Sequence, residues 1–220
     1  MKGKTLIYLF VGWLTAAGTA CQHEPSLSDY NKDFTVYTNR DAETDFAAFS
    51  SYFIPDSILL IGNTEKATYW KSNDALEIIA TVANGLNNAG YERSAEKEGA
   101  SFGMQLSYVE QVNYYVGYNN PYWWWYYPYY WTPGYWGGWG GWNYPYYVQY
   151  GYTAGSLLIE MVDLEAPQTT TDSKLPVVWS AYIGGLLTSS QSLNMERTIF
   201  GVEQAFIQSP YLNRTATRSY

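Results

Sequence analysis

The 220-residue chain has one cysteine, Cys21, and one histidine, His23. A single cysteine excludes an intramolecular disulfide framework, so stability has to come from packing. A lone histidine two residues beyond that cysteine, in a polar stretch, is poorly placed as a buried general base or zinc ligand. Ser-His and Cys-His nucleophilic catalysis and a Cys/His metal site therefore drop out. The chain also lacks a Gly-rich phosphate loop followed by Lys, and it lacks a GxSxG turn. Positive charge is scarce: 12 Lys and Arg face 20 Asp and Glu, a formal net charge of −8 at pH 7. That balance argues against nucleic acid as a partner and against spreading on an anionic membrane by protein charge. The apolar run Leu6 to Leu14 is too short to span a bilayer.

What is present at the front is a targeting pattern. Lys2 and Lys4 precede the apolar run, and the small residues Ala16 to Ala20 lead directly to Cys21. Residues 1–20 read as a signal peptide, and a cysteine directly after it reads as a lipid attachment point, the arrangement of bacterial lipoproteins. Gly18 stands where that arrangement usually carries Leu. The alternative is an ordinary secretory signal that leaves an incidental free thiol. After residue 20, Lys2 and Lys4 are gone from the 12, leaving 10 basic against 20 acidic residues and a formal balance of −10. Acyl chains, palmitate among them, would then provide attachment to the envelope, with the bacterial outer membrane as the expected location. Residues 21–31, polar and broken by Pro25, read as a flexible tether.

The folded part is expected over 32–212, with 213–220 as a tail. Phe34 to Tyr37 and Phe49 to Ile54 are β-prone and read as an opening strand pair. Ser72 to Ala89 places Leu76, Ile79, Ala80, Ala83 and Leu86 at helical spacing, with Ser72 or Asn73 as N-cap and Gly90 as stop. From Phe102 the period changes to two: Phe102, Met104, Leu106 and Tyr108 alternate with Ser101, Gly103, Gln105 and Ser107, as in a half-buried strand. The same parity continues through Val112 to Val116, which calls for a bulge or bend near Glu110. Gly155 to Leu164 and Val177 to Ile183 read as interior strands. Asn194 to Gln208 reads as a helix, with Met195, Ile199, Val202 and Phe206 on one face and Pro210 closing it. The expected architecture is one α+β domain: a mostly antiparallel sheet, two helices on one face and a long aromatic hairpin insertion.

That insertion, residues 118–150, is the anomaly. From Tyr114 to Tyr152 roughly half the residues are Tyr or Trp, and no charged side chain occurs between Glu110 and Glu160. Pro and Gly preclude a regular helix, and the absence of aliphatic residues between Tyr118 and Tyr147 precludes a membrane span. Trp123, Trp124, Trp125, Trp131, Trp136, Trp139 and Trp142 are the candidate contact residues. Flat rings with polar edges suit sugar faces, and they suit equally the membrane interface or a partner protein. The plainer reading is a low-complexity loop that folds partly over its own sheet or self-associates.

Short motifs in a fixed order give a resemblance. Asp29-Tyr30-Asn31-Lys32-Asp33-Phe34, Asp45-Phe46 leading into Phe49-Ser50-Ser51-Tyr52, and Ala89-Gly90-Tyr91 come first. Gly155 to Asp163, Val178-Trp179-Ser180-Ala181 and a closing helix stopped at Pro210 follow. In this the chain resembles bacterial lipoproteins carrying the domain of unknown function 4136. The resemblance implies an envelope-facing lipoprotein domain and no catalytic residues to carry over.

Two chemistries remain to weigh. Glu160 and Asp163 are the nearest carboxylate pair, but odd spacing on a strand sends them to opposite faces, and Asp163 is better suited to holding a turn or to meeting Trp179 or an Arg across the sheet. Asp41, Glu43 and Asp45 alternate as an EF-hand loop begins, yet Phe46 stands where that loop needs Gly, so a solvated acidic turn is expected. Trp179 reads as a core anchor, and Trp70 as a staple on the first helical turn. The function expected is therefore structural or interactive and lipid-anchored, without catalysis, metal or cofactor. The partners expected are the membrane through the lipid, then an envelope protein, a second copy or a glycan, with a glycan-binding lipoprotein as the alternative function.

Overall fold

Two segments that are apolar on both parities, Ser156–Asp163 and Leu175–Gly184, take the middle of a mixed sheet, where a strand buries both faces. The structure, a computed structural model, describes residues 34–61, 68–110, 142–147, 154–167, 174–187 and 191–214. In chain order the elements are β1 Thr35–Arg40, β2 Ser51–Phe53, β3 Ile58–Ile61, β4 Thr68–Trp70, α1 Asn73–Asn88, β5 Glu92–Arg93, β6 Phe102–Val109, β7 Trp142–Asn143, β8 Ser156–Asp163, β9 Leu175–Gly184 and α2 Gln191–Ile207. All belong to one compact unit, Asp33–Tyr220, and the class is α+β as expected.

The sheet runs β1-β9-β8-β6-β2-β5, with β3 also on β6, β4 on β3 and β7 on β9. The long pairings β1–β9, β9–β8 and β8–β6 are antiparallel. Parallel contacts of two or three residue pairs join β2 to β5 and β6, β3 to β6, and β7 to β9, which makes the sheet mixed. The two opening strands do not pair with each other. β1 lies on the outer edge of β9, and β2 lies beside β6 on the opposite side, so each satisfies the backbone edge of a longer apolar strand. The hairpin β3–β4 has no counterpart in the sequence reading. Its strands are only four and three residues long, too short for alternation to register.

α1 starts at Ser72, whose backbone carbonyl accepts from Leu76 N–H at 3.0 Å. The Ser72 hydroxyl accepts from Trp70 Nε1 at 2.5 Å and caps no helical amide. Trp70 packs its ring edge-on against Tyr108 of β6, which places it in the sheet and not on the first turn as a staple. At the other end Tyr91 N–H bonds Leu86 O and Gly90 N–H bonds Asn87 O, with Gly90 at φ 94°. This is the Schellman arrangement, and a side chain at Gly90 would be strained in it. The buried stripe of α1 is Ala75, Ile78, Ile79, Val82, Ala83 and Leu86. Leu76, 46% exposed, and Ala80 fall off the stripe expected from the sequence, because a second set of apolar positions one residue out of phase meets the sheet.

Two cores flank the sheet. The helix-side core joins Phe102, Met104 and Leu106 of β6, Leu157, Ile159 and Met161 of β8, and Trp179, Ala181 and Ile183 of β9 to α1 and α2. A register shift between Met161 and Val162 leaves Val178 as an extra residue, and Val178 and Trp179 both enter this core. Trp179 is 0% exposed, and its Nε1 donates to Ser209 Oγ at 2.9 Å, so it is the anchor expected. The second core lies on the sheet face away from the helices and contains Val109, Leu158, Val162, Val177 and Tyr182 together with Trp142 and Tyr144. Because of it, β6 is buried on both faces and is not the half-buried strand expected. β6 ends at Val109, and the continuation toward Val116 with its bend lies outside the described residues.

Candidate functional site

The helix-free face of the sheet carries a polar row through an otherwise apolar surface. Pairing places Gln105 of β6 opposite Glu160 of β8, Glu160 opposite Ser180 of β9, and Ser180 opposite Asn39 of β1. Equal parity puts all four on one face. Three of them hold the segment that closes the aromatic stretch. The Tyr144 hydroxyl donates to Glu160 Oε1, Tyr146 OH donates to Ser180 Oγ at 3.0 Å, and Asn39 Nδ2 donates to the Tyr147 carbonyl at 2.7 Å. Residues 144–147 thus step across β8, β9 and β1 in order.

Alternation sets which rings turn inward. Trp142 and Tyr144 are buried, Asn143 and Pro145 are exposed, and Tyr146 is half-buried with its ring edge-on to Tyr144 at 5.6 Å and 85°. Trp142 was expected among the exposed contact residues. It is 4% exposed and packs in the second core, because β7 pairs with Leu175 and Pro176 of β9 and turns the indole onto the sheet. Trp123, Trp124, Trp125, Trp131, Trp136 and Trp139 lie outside the described residues, as do Cys21 and His23.

Glu160 is 1% exposed, and burial pushes its carboxyl well above the usual carboxylate range, toward the neutral acid. In that form it keeps a carbonyl oxygen to accept from Tyr144. Asp163 sits opposite Phe102 on the other parity, and its Oδ1 accepts from Glu165 N–H at 2.8 Å, holding the turn as expected. Burial raises the Asp163 carboxyl as well, opposed by the backbone bonds from Glu165 and Ala166. The two carboxyls do not converge. In the acidic connection, Asp41 accepts from Glu43 N–H and Thr44 Oγ1, and Asp45 accepts from Ala47 N–H. These bonds make turns of the loop, and among the described residues no three His, Cys, Asp or Glu side chains gather as a metal site.

The polar row was not singled out from the sequence. Its one visible signal is Glu160 itself, a carboxyl within Leu157-Leu158-Ile159-Glu160-Met161-Val162, where a buried acid requires a hydrogen-bonding partner.

A parallel pair of helices on one face of a mixed sheet, with a tyrosine-bearing segment pinned to the other face, defines an α+β domain with two cores. The chain belongs to the DUF4136 family, a domain of unknown function, which it matches over residues 36–211. It is similar to a crystal structure of a DUF4136 family protein from Bacteroides thetaiotaomicron VPI-5482, at 42% identity and a TM-score of 0.75 over 84% of this chain and 100% of that one. A PelC dodecamer from Paraburkholderia phytofirmans aligns at 13% identity and a TM-score of 0.38 over 82% of this chain and 97% of that one. No curated protein matches the chain.

Proposed function

We propose that the protein is a lipid-anchored component of the bacterial cell envelope, held at the outer membrane through Cys21, that acts by contact with protein and not by catalysis. The supporting observation is the treatment of the rings at residues 142–146: Trp142 and Tyr144 turn inward, Tyr146 packs edge-on against Tyr144, and Glu160 and Ser180 hold the two tyrosine hydroxyls, while Asn39 holds the backbone of Tyr147, whose own ring is exposed. A sugar platform needs coplanar rings open to solvent, whereas rings that meet edge-on over a sheet act as structure. The carboxyl chemistry supports the same reading, since Glu160 is sealed and Asp163 is committed to a turn. No helix among the described residues is long and apolar enough to cross a membrane.

The test combines fractionation with binding. Cys21→Ser should move the protein from the membrane to the soluble fraction. The protein is then titrated with soluble envelope polysaccharides and with lipid vesicles, following tryptophan fluorescence, beside a variant with residues 119–141 replaced by a Gly/Ser linker. The proposal expects no saturable polysaccharide response and a loop-dependent change in mass by light scattering. Saturable, loop-dependent binding of one polysaccharide would replace it with the glycan-binding reading.

A further inference from the structure

On the opposite face of the molecule, α1 and α2 run in the same direction. Gln191 Nε2 donates to Asp74 Oδ2 at 3.3 Å near their N-terminal ends, and Phe206 packs on Gly85 near their C-terminal ends. A Cβ on Gly85 would lie 2.4 Å from the Phe206 ring, so only glycine lets the helices close there. Toward the N-termini they leave an open groove of about 660 Å³.

The groove has an apolar floor and acidic walls. Met195 and Ile199, one helical turn apart on α2, form the floor with Phe200, which is 37% exposed. Asp74 and Glu77 line the α1 side, and Glu196 and Glu203 line the α2 side two turns apart. Among the described residues no Lys or Arg lines the groove, and none of these four carboxylates has a salt-bridge partner. Phe34, packed 6.1 Å from the Phe200 ring, flanks the floor at that residue.

We propose that this groove docks a cationic amphipathic helix of a partner protein. An apolar stripe at i, i+3/i+4 spacing would cover Met195, Ile199 and Phe200, and flanking Lys or Arg would meet the two acidic walls. A bare cation would leave the apolar floor wet. An anionic lipid surface is repelled by the walls, and a second copy, formally −8, carries the wrong charge to fill them. This groove and residues 142–147 lie on opposite faces of the sheet.

A labelled synthetic helix of Leu and Lys at that spacing, titrated with the full chain and followed by fluorescence anisotropy, tests it. Binding should be saturable, should weaken as salt rises from roughly 50 to 300 mM, and should fall by about tenfold or more in Glu77→Lys/Glu203→Lys. Glu43→Lys/Glu92→Lys makes the same charge change on exposed sites elsewhere and should shift affinity less than about threefold. A peptide with Ser in place of Leu should lose binding to the same extent as the groove variant. Circular dichroism establishes that both variants are folded. Equal losses in the two charge variants, equal binding of the Ser peptide, or no binding at all would overturn the proposal. Self-association that depends on Glu77 and Glu203 would overturn it in favour of a second copy.

Discussion

The Tyr144 hydroxyl donates to the carboxyl of Glu160, tying the end of the aromatic stretch to the middle strand of the sheet inside a sealed core. This bond explains how an acid can stand in an interior strand and why the rings beside it face the protein. Removing either partner should be costly and removing both should not. Tyr144→Phe leaves Glu160 without this donor and should lower stability by about 1–3 kcal/mol. In Tyr144→Phe/Glu160→Leu the loss should be clearly smaller than the sum of the single losses, read from urea unfolding as a coupling of about 0.5–3 kcal/mol. Strict additivity would mean that the two groups do not interact.

Glu160 also fixes the sign of the pH dependence. Burial raises its folded-state pKa well above 4.5, so between the unfolded and folded values the native protein keeps a proton that the unfolded chain has released. The stabilisation is complete below the unfolded pKa and is lost as pH rises toward the folded one, with a slope of up to about 1.4 kcal/mol per pH unit for one proton. Asp163, raised chiefly by burial, contributes in the same direction. Stability should therefore fall as pH rises above the unfolded carboxylate range. Glu160→Gln should flatten that slope, and an unchanged slope in the variant would remove Glu160 as its source.

Trp179 joins β9 to the end of α2, through its bond to Ser209 and its ring tilted over Phe206 at 5.9 Å. Trp179→Ala should cost about 3–5 kcal/mol, a cavity plus a lost bond. Thermal melting that hardly moves would take the indole out of the core.

At the helix pair, Gly85→Val places methyl groups where the Phe206 ring lies, and the Cβ alone would come within 2.4 Å of it. The expected loss is about 1–3 kcal/mol, although Val is the better helix former of the two. Phe206→Ala in the same chain should recover part of it, and the sign of that interaction in a double-mutant cycle is the readout. A stabilised Gly85→Val would show that the helices are not in contact there.

Much of the frame was legible because it is local. The 3.6 period located both helices, Gly90 marked the end of α1, and apolar residues on both parities marked β8 and β9 as interior. What escaped was set by distant partners. The exposed Leu76 and Ala80 lie beside a competing stripe that only the sheet selects. Gln105 and Ser107 read as solvent-facing, yet Trp142 and Tyr144, from a separate part of the chain, help to build the core on that face. The pairing of β1 with β9 joins Thr35 to Gly184 and left no trace in either strand alone. Within the aromatic stretch, composition gave no means of separating the rings that enter the core from the rest.

Residues 142–147 belong to the folded domain and close its helix-free face, with Trp142 and Tyr144 in the core. Two linker replacements, one of residues 119–141 and one of residues 119–147, compared by thermal unfolding with near-UV circular dichroism, test it directly. The shorter replacement should keep a cooperative transition close to that of the parent chain, whereas the longer one should lose the Trp142 and Tyr144 packing and melt well below it. Indistinguishable transitions for the two would mean that residues 142–147 contribute nothing to the core and that the whole aromatic stretch is a dispensable loop.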